Sequence, residues 1–488
     1  MTTLLGFVYV TAVALLSLFG LMGLYTLWQY GRHRHDAFPC PVVDPETLPP
    51  VTVQLPIYNE RYVVARLIET AVHLHYPPAR LQIQVLDDST DDTTHLAADL
   101  VAGYQAQGVN IQLIHRDNRQ GYKAGALAAA LHQANGDFIA IFDADFQPPP
   151  GFLLQTIPHF LPTPNLGMIQ TRWGHLNAEA SPLTGAQAIA LDKHFAMEQT
   201  VRHRANLFPK FNGAGGVWRR ACLEDAGGWE TDTVCEDLCL STRAILRRWQ
   251  FRFLNDVTAP AELPATITAF KIQQARWAKG STQCLLKFGR QIVSNSGLTP
   301  AARLYGLLSM AAYSAHLLLL LLFLLQIPLI LGDYRAPSGL LLFSLIAIGQ
   351  PLLFIWGQQS LYRDWVWRLR YFPTLLIVGV GLAPSNSRAI LEVFMRRGHP
   401  FLRTPKLGDG RSLGYRLPFD WIIGVELLLA VYAAVGLYLA VSRQNYGPIP
   451  FLATCLLGFG SVAYLGLRDF LHHRRQELTA NEPAPYHI

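Results

Sequence analysis

Hydrophobic positions along the 488-residue chain fall into two regimes. Between about residues 50 and 290, short apolar runs alternate with helical patterns. The N-terminal stretch and the chain after residue 303 instead carry apolar runs of bilayer-spanning length. Leu4–Trp28 is the first of these, followed by "GRHRH" with Arg32 and Arg34. A signal peptide has its charges before the apolar core and ends in small residues. This order instead predicts an uncleaved anchor whose basic flank faces the cytosol. Further crossings are expected at Leu304–Leu331, Gly339–Trp356, Trp421–Val441 and Phe451–Leu467.

Tyr371–Pro384 is also apolar, but basic segments stand on both sides of it. "YRDWVWRLR" precedes it, and Arg388, Arg396, Arg397, Arg403, Lys406, Arg411 and Arg416 follow. Both flanks belong on the cytosolic side, so the segment is expected to be interfacial or re-entrant, leaving five full crossings. Glu426 interrupts a crossing, a costly placement unless its carboxylate lines a cavity or snorkels to the cytosolic end.

Within the middle region, three apolar runs stop abruptly at acids. "VTVQLPIYNE" ends at Glu60, "LQIQVLDDSTDD" at Asp87 and Asp88, and "GDFIAIFDADF" at Asp143 and Asp145. Helical patterns, Val63–His73 and Ala124–Gln133 among them, lie between these runs. Strands alternating with helices predict a parallel α/β sheet, in which ligands bind beyond the carboxyl ends of the strands. The acids would then gather along one edge.

Composition supports the division. The chain is 51% hydrophobic and 15% charged, against roughly 25% charged in soluble domains, which argues for a membrane protein. The net charge of +6 comes largely from basic residues flanking apolar segments, so nucleic acid is not an expected partner. Of six cysteines, Cys222, Cys235, Cys239 and Cys284 fall in the middle region, consistent with a reduced cytosolic domain.

Candidate chemistry sits at the strand ends. In Asp143-Ala144-Asp145, one carboxylate can take a divalent cation while the other reaches a sugar or ribose hydroxyl. Oxygen-only ligands suit Mg²⁺ or Mn²⁺. "NRQGYKAGAL" places Lys123 and two glycines at a loop-to-helix junction, either an anion site or a helix start with a surface lysine. "FNGAGGVWRRACLEDAGGWE" offers Trp218 and Trp229 as sugar-ring faces or as core tryptophans. In "AFKIQQARWAKGS", Gln273, Arg276 and Trp277 lie close together on a helix. That helix is either a phosphate clamp with a stacking ring or an amphipathic interface helix. Glu236-Asp237 is the remaining acid pair, and transfer of a sugar to a hydroxyl needs a carboxylate base. Cys235 and Cys239 frame it, but no second C-x-x-C or H-x-x-x-H accompanies them. Packing is therefore the expected role of the thiols rather than zinc.

Taken together, these residues resemble the membrane-embedded family 2 glycosyltransferases of GT-A fold, in the cellulose-synthase-like mannan and glucan synthase branch. The likeness runs from "QLPIYNE" through "VLDDSTDDT", "GYKAGAL", "FDADF", "QTRWGHLNAE", "FNGAGGVWR" and "ELPAT" to "QQARWAKG". It implies an α/β GT-A (Rossmann-like) domain in a multi-pass helical protein of the plasma or inner membrane, with its catalytic domain cytosolic. By that resemblance Asp88 contacts the nucleobase, Lys123 and Asp143 hold the nucleotide, and Tyr58 and Glu60 line the donor side. Asp145 binds Mg²⁺ or Mn²⁺, and Asp237 is the catalytic base. Gln273 and Arg276 sit by the diphosphate, and Trp277, Glu236 and Gly213 shape the acceptor end.

The implied reaction is inverting transfer of hexose from UDP-glucose or GDP-mannose to a β-1,4-linked glucan or mannan that is moved across the bilayer. A glycolipid synthase acting on diacylglycerol or a similar lipid shares the motif set. "FLRTPK", 401–406, is similar to the gating loop of cellulose synthase. The chain departs from the family at Cys235, usually Thr or Val, at Cys239, commonly an acid, and at Arg403, usually apolar. The expected plan is an anchor over 1–30, a linker over 31–50, the GT-A domain over 51–290 and a transmembrane hairpin over 300–358. A cytosolic or interfacial segment over 359–418, a second hairpin over 419–468 and a cytosolic tail over 469–488 complete it.

Overall fold

The computed structural model describes residues 2–36, 38–335, 337, 339–395 and 420–480. The "FLRTPK" segment lies outside the described residues, as do Arg396, Arg397, Lys406, Arg411 and Arg416. Seven strands build one sheet: β1 (Val51–Ile57), β2 (Leu81–Asp87), β3 (Ile111–His115), β4 (Phe138–Ile141), β5 (Leu166–His175), β6 (Gly216–Arg219) and β7 (Gln250–Ala261). Their order is β3-β2-β1-β4-β6-β5-β7. β3, β2, β1 and β4 are mutually parallel, and β7 is parallel to β5.

β6 runs antiparallel to both β4 and β5, so the sheet is mixed rather than all-parallel. The chain enters β6 from the glycine-rich loop at the carboxyl edge of β4, and a strand entered there has to run back through the sheet. That reversal places the loop at the ligand-binding edge.

Apolar side chains pack both faces of the sheet. Val53, Leu55, Phe142, Phe152 and Phe160 belong to one core cluster, and Ile139, Ile141, Phe211, Trp218, Trp229 and Cys239 to the other. Trp218 meets the rings of Phe211 and Phe251 edge-on at 5.5 and 5.4 Å. Both tryptophans are core residues and offer no face to a sugar.

Four described helices are long and apolar enough to cross a membrane: Thr2–His33, Ser314–Leu331, Ile422–Ser442 and Ile449–His472. Two of the apolar runs are divided. Leu304–Leu331 begins in a separate helix, Pro300–Met310, and Gly339–Trp356 is shared between Leu340–Ala347 and Gly349–Leu361. Close backbone contact with the first helix accompanies the second break. A Cβ on Gly349 would lie 2.5 Å from the Gly20 carbonyl oxygen, so only glycine fits. Tyr371–Pro384 falls in a helix pair, Trp365–Gly381 and Ala383–Phe394, bent by 41°. Such a bend suits either a broken span or a re-entrant turn, and counting the pair as one span gives five.

The helix Ile267–Ser294 docks on these apolar helices through polar anchors. Glu426 is fully buried and neither faces open solvent nor snorkels. It accepts from the Lys271 ammonium at 2.6 Å. Asp469 Oδ2 accepts from the backbone N–H and the hydroxyl of Thr268, both at 3.2 Å.

Candidate active site

The carboxyl edge of the sheet opens into a cavity of about 180 Å³. Tyr58 and Glu60 reach it from the end of β1, Asp88 from β2, and Asp143 and Asp145 from β4. Lys123 comes from the helix Tyr122–Leu131, and Gly213 from the loop before β6. Glu236 and Asp237 come from the helix Glu236–Leu246, and Gln273, Arg276 and Trp277 from Ile267–Ser294. Every residue given a site role by the family resemblance lines this one cavity, whereas Asp87, Trp218 and Trp229 do not.

On its β2 side, both carboxylate oxygens of Asp88 accept from Arg116, whose Nε lies 2.7 Å from Oδ1 and Nη2 2.5 Å from Oδ2. Asp88 is therefore one half of a bidentate pair. Asp87 sits behind it and faces away from the cavity. Burial would raise its pKa, but hydrogen bonds from Ser89, Thr94 and His115 outweigh that and hold it below the ordinary value. The Arg119 guanidinium stacks 3.3 Å from the Tyr58 ring centroid, an arrangement that gives the cavity mouth a flat cationic platform.

Lys123 joins the two halves of the site. Its ammonium is ion-paired with Asp143, donates to the Gly213 carbonyl at 2.9 Å and lies 3.9 Å from Glu236 Oε1. Burial works against its charge, but the Asp143 and Glu236 carboxylates overcome that and raise its pKa. The metal-binding chemistry on offer is carboxylate oxygen from "DAD", a hard donor set that fits Mg²⁺ or Mn²⁺. Asp143 is ion-paired with Lys123, and Asp145 stands two residues on at the same strand end.

On the other side, Glu236 and Asp237 occupy the first turn of their helix, where the helix dipole favours anions. Asp237 Oδ1 accepts from the Leu238 N–H at 2.7 Å. Gly213 holds φ at +90°, and a Cβ there would stand 3.2 Å from Asp237 Oδ2. Burial raises the pKa of both acids; at Asp237 the Leu238 N–H and the cations Lys123, Lys210 and Arg276 pull it back.

Among the described residues, Cys235 joins no cluster of metal-ligating side chains. Burial pushes the Cys235 and Cys239 thiols up. Glu230, Asp232 and Cys239 do converge, but the Lys287 ammonium sits among them, 2.5, 2.6 and 3.5 Å away. The cation there is a lysine.

A second cavity of about 380 Å³ shares Asp237, Gln273, Trp277 and Asn212 with the first. It extends toward the apolar helices, past Tyr313, His316, Val378 and Leu382. Its floor includes a π-helical stretch, Lys193–Gln199, an irregularity often found at functional sites. His194 Nδ1 lies 2.8 Å from Glu198, and Asn212 Nδ2 donates to His194 Nε2 at 2.9 Å. Burial lowers the His194 pKa to about 4, leaving the ring neutral. Sequence reasoning missed Arg116, Arg119, His194, Glu198 and Lys210. The basic run "HRDNR" before "GYKAGAL" was the available signal for the first two. The other three carried none, because only the fold brings them to Asp237.

The model of the family described as "Glycosyltransferase like family 2" matches residues 49–280. Glucomannan 4-beta-mannosyltransferase 2 of Arabidopsis thaliana is 34% identical over 87% of this chain and 84% of its own length. The chain belongs to the family 2 glycosyltransferases. Probable glucomannan 4-beta-mannosyltransferase 9 of Oryza sativa subsp. japonica is 37% identical over 90% of this glycosyltransferase and 88% of its own length. Among solved structures, a mannosyltransferase from Pyrobaculum calidifontis, in complex with GDP-Man and Mn²⁺, superposes with a TM-score of 0.57 at 20% identity. The match covers 81% of this chain and 100% of that one, and it establishes the shared GT-A fold.

Proposed function

We propose that this glycosyltransferase moves mannose from GDP-mannose onto the non-reducing end of a β-1,4-linked mannan or glucomannan, with inversion at the anomeric carbon. One observation carries the reading: Asp237 stands where the donor cavity meets the second cavity. The names of the two plant relatives support mannose and the β-1,4 linkage.

In this mechanism Arg116 and Asp88 hold the base, Arg119 and Tyr58 cover the nucleotide, and Lys123, Gln273 and Arg276 bind the diphosphate. Asp145 would hold a Mg²⁺ or Mn²⁺ ion, which when bound offsets charge on the leaving diphosphate. Asp237 takes the proton from the acceptor 4-hydroxyl as its oxygen attacks the anomeric carbon from the face opposite the diphosphate. Gly213, having no side chain, leaves that oxygen room. Trp277 stacks the acceptor ring, and the second cavity leads the chain toward the apolar helices. A lipid acceptor is less favoured, because the two plant relatives are named for β-1,4-mannosyl transfer in glucomannan.

The test is mannose transfer from GDP-mannose by detergent-solubilised protein and by Asp237→Asn. The substitution is expected to cut kcat about 10²–10⁴-fold, with KM for GDP-mannose unchanged. Full activity in Asp237→Asn would overturn the base assignment.

A further inference from the structure

Lys210 stands out in the second cavity as a cation with nothing to bind. Among the described residues, its ammonium makes no hydrogen bond and no ion pair, although the side chain is partly buried. Its backbone is fixed from both sides. Gln199 Nε2 donates to the Lys210 carbonyl at 2.8 Å, and the next N–H, that of Phe211, donates to Ser241 Oγ at 2.9 Å. Ser241 belongs to the helix that carries Asp237 and hydrogen-bonds the Asp237 carbonyl at 2.7 Å. Two residues before Lys210, buried Phe208 adopts φ 57°, a left-handed backbone that a bulky residue holds only at some cost. The chain is thus pinned where it presents this side chain beside the base.

The Lys210 side chain is half-buried in the cavity wall, where an ammonium gives up part of its hydration without gaining a partner among the described residues in return. An ammonium can only donate, and in a cavity next to a carboxylate base it can donate to a saccharide hydroxyl. We propose that Lys210 is an acceptor-recognition residue, donating a hydrogen bond to the terminal acceptor sugar's hydroxyl next to the attacking one. Burial, followed by the nearby Arg202, lowers its pKa to about 8, with Glu198, Asp237 and Cys235 opposing. The ammonium is therefore poised for a ligand that restores its lost hydration. The proposal rests on the functional reading above, since it presumes that a saccharide enters the second cavity.

The test uses the full-length protein with GDP-mannose and mannotriose, or mannotriose deoxygenated at position 3 or 6 of its terminal residue. For wild-type protein, one of the two deoxy acceptors is expected to raise the acceptor KM about 10–100-fold, the worth of a charge-assisted hydrogen bond. Lys210→Met is expected to raise KM for mannotriose by a similar factor and to abolish the deoxy penalty, with KM for GDP-mannose within two-fold. Lys210→Arg, which keeps the charge, is expected to recover part of the discrimination, and thermal unfolding checks that both variants fold. An undiminished deoxy penalty in Lys210→Met overturns the assignment while leaving mannosyl transfer intact. So does a fall in kcat with unchanged acceptor KM, which would make Lys210 a modulator of Asp237 only. A wild-type protein that transfers no mannose overturns the functional reading, and the Lys210 role with it.

Discussion

Asp237 and Glu236 share one half-buried helix turn; the Asp237 charge raises the pKa of Glu236, and Coulomb repulsion between two carboxylates is mutual. A base works only when ionised, so a raised pKa moves the acid limb of the pH–rate profile above the range of an ordinary aspartate. Activity should fall as pH drops through that raised value. Glu236→Gln removes the neighbouring anion and should move the limb of kcat/KM to lower pH; a limb that stays in place would uncouple the two acids. Gly213→Ala would put a methyl group 3.2 Å from Asp237 Oδ2 on a left-handed backbone. Its expected result is a kcat loss larger than any loss of thermal stability.

At this scale the sequence was informative where chemistry is local, since the acids and Q-x-x-R-W are contiguous motifs at strand and helix ends. For Arg116 it offered only the basic run "HRDNR", and for Lys210 nothing. The first is recognisable only once β2 and β3 are neighbours, and the second only once the loop before β6 meets the Asp237 helix.

Among the elements, Ile267–Ser294 ties the catalytic site to the apolar helices. Lys271 and Glu426 form a buried pair at 2.6 Å, and Lys279 lies 3.6 Å from Glu392 on the helix Ala383–Phe394. Removing one partner of a buried pair leaves an uncompensated charge and costs about 3–5 kcal/mol, whereas replacing both with apolar groups is often neutral. Glu426→Ala should lower the thermal unfolding temperature in detergent sharply, and Lys271→Met with Glu426→Leu should restore most of it. A double variant as unstable as Glu426→Ala would contradict a simple charge-burial account.

Periodicity located β1, β2 and β4 because each is a short apolar run ending at an acid. It could not give the direction of β6, which depends on the edge from which the chain enters. Nor could it foresee the break in Gly339–Trp356. Continuous apolarity leaves the helix pattern unbroken, and the contact with Gly20 is visible only in three dimensions.

In the proposed mechanism the molecule joins a donor cavity and a larger acceptor cavity at one carboxylate, with apolar helices beyond. That geometry suits repeated addition, because each added residue can move away from Asp237 along the second cavity and free the site for the next donor. Chelating divalent cations with EDTA should abolish transfer, and Mg²⁺ or Mn²⁺ should restore it; undiminished activity in chelator would remove the role given to Asp145. Family membership and the polar edge of the sheet were legible in the sequence because motif order survives without a structure. The joining of the two cavities was not, since it depends on helices distant in the chain.

The most direct measurement is the identity of the product made from GDP-[¹⁴C]mannose by the reconstituted protein. A product insoluble in chloroform–methanol, cut to short oligosaccharides by an endo-β-1,4-mannanase and absent with Asp237→Asn, is the expected result. A label that extracts into the organic phase and resists the mannanase would contradict β-1,4-mannan synthesis.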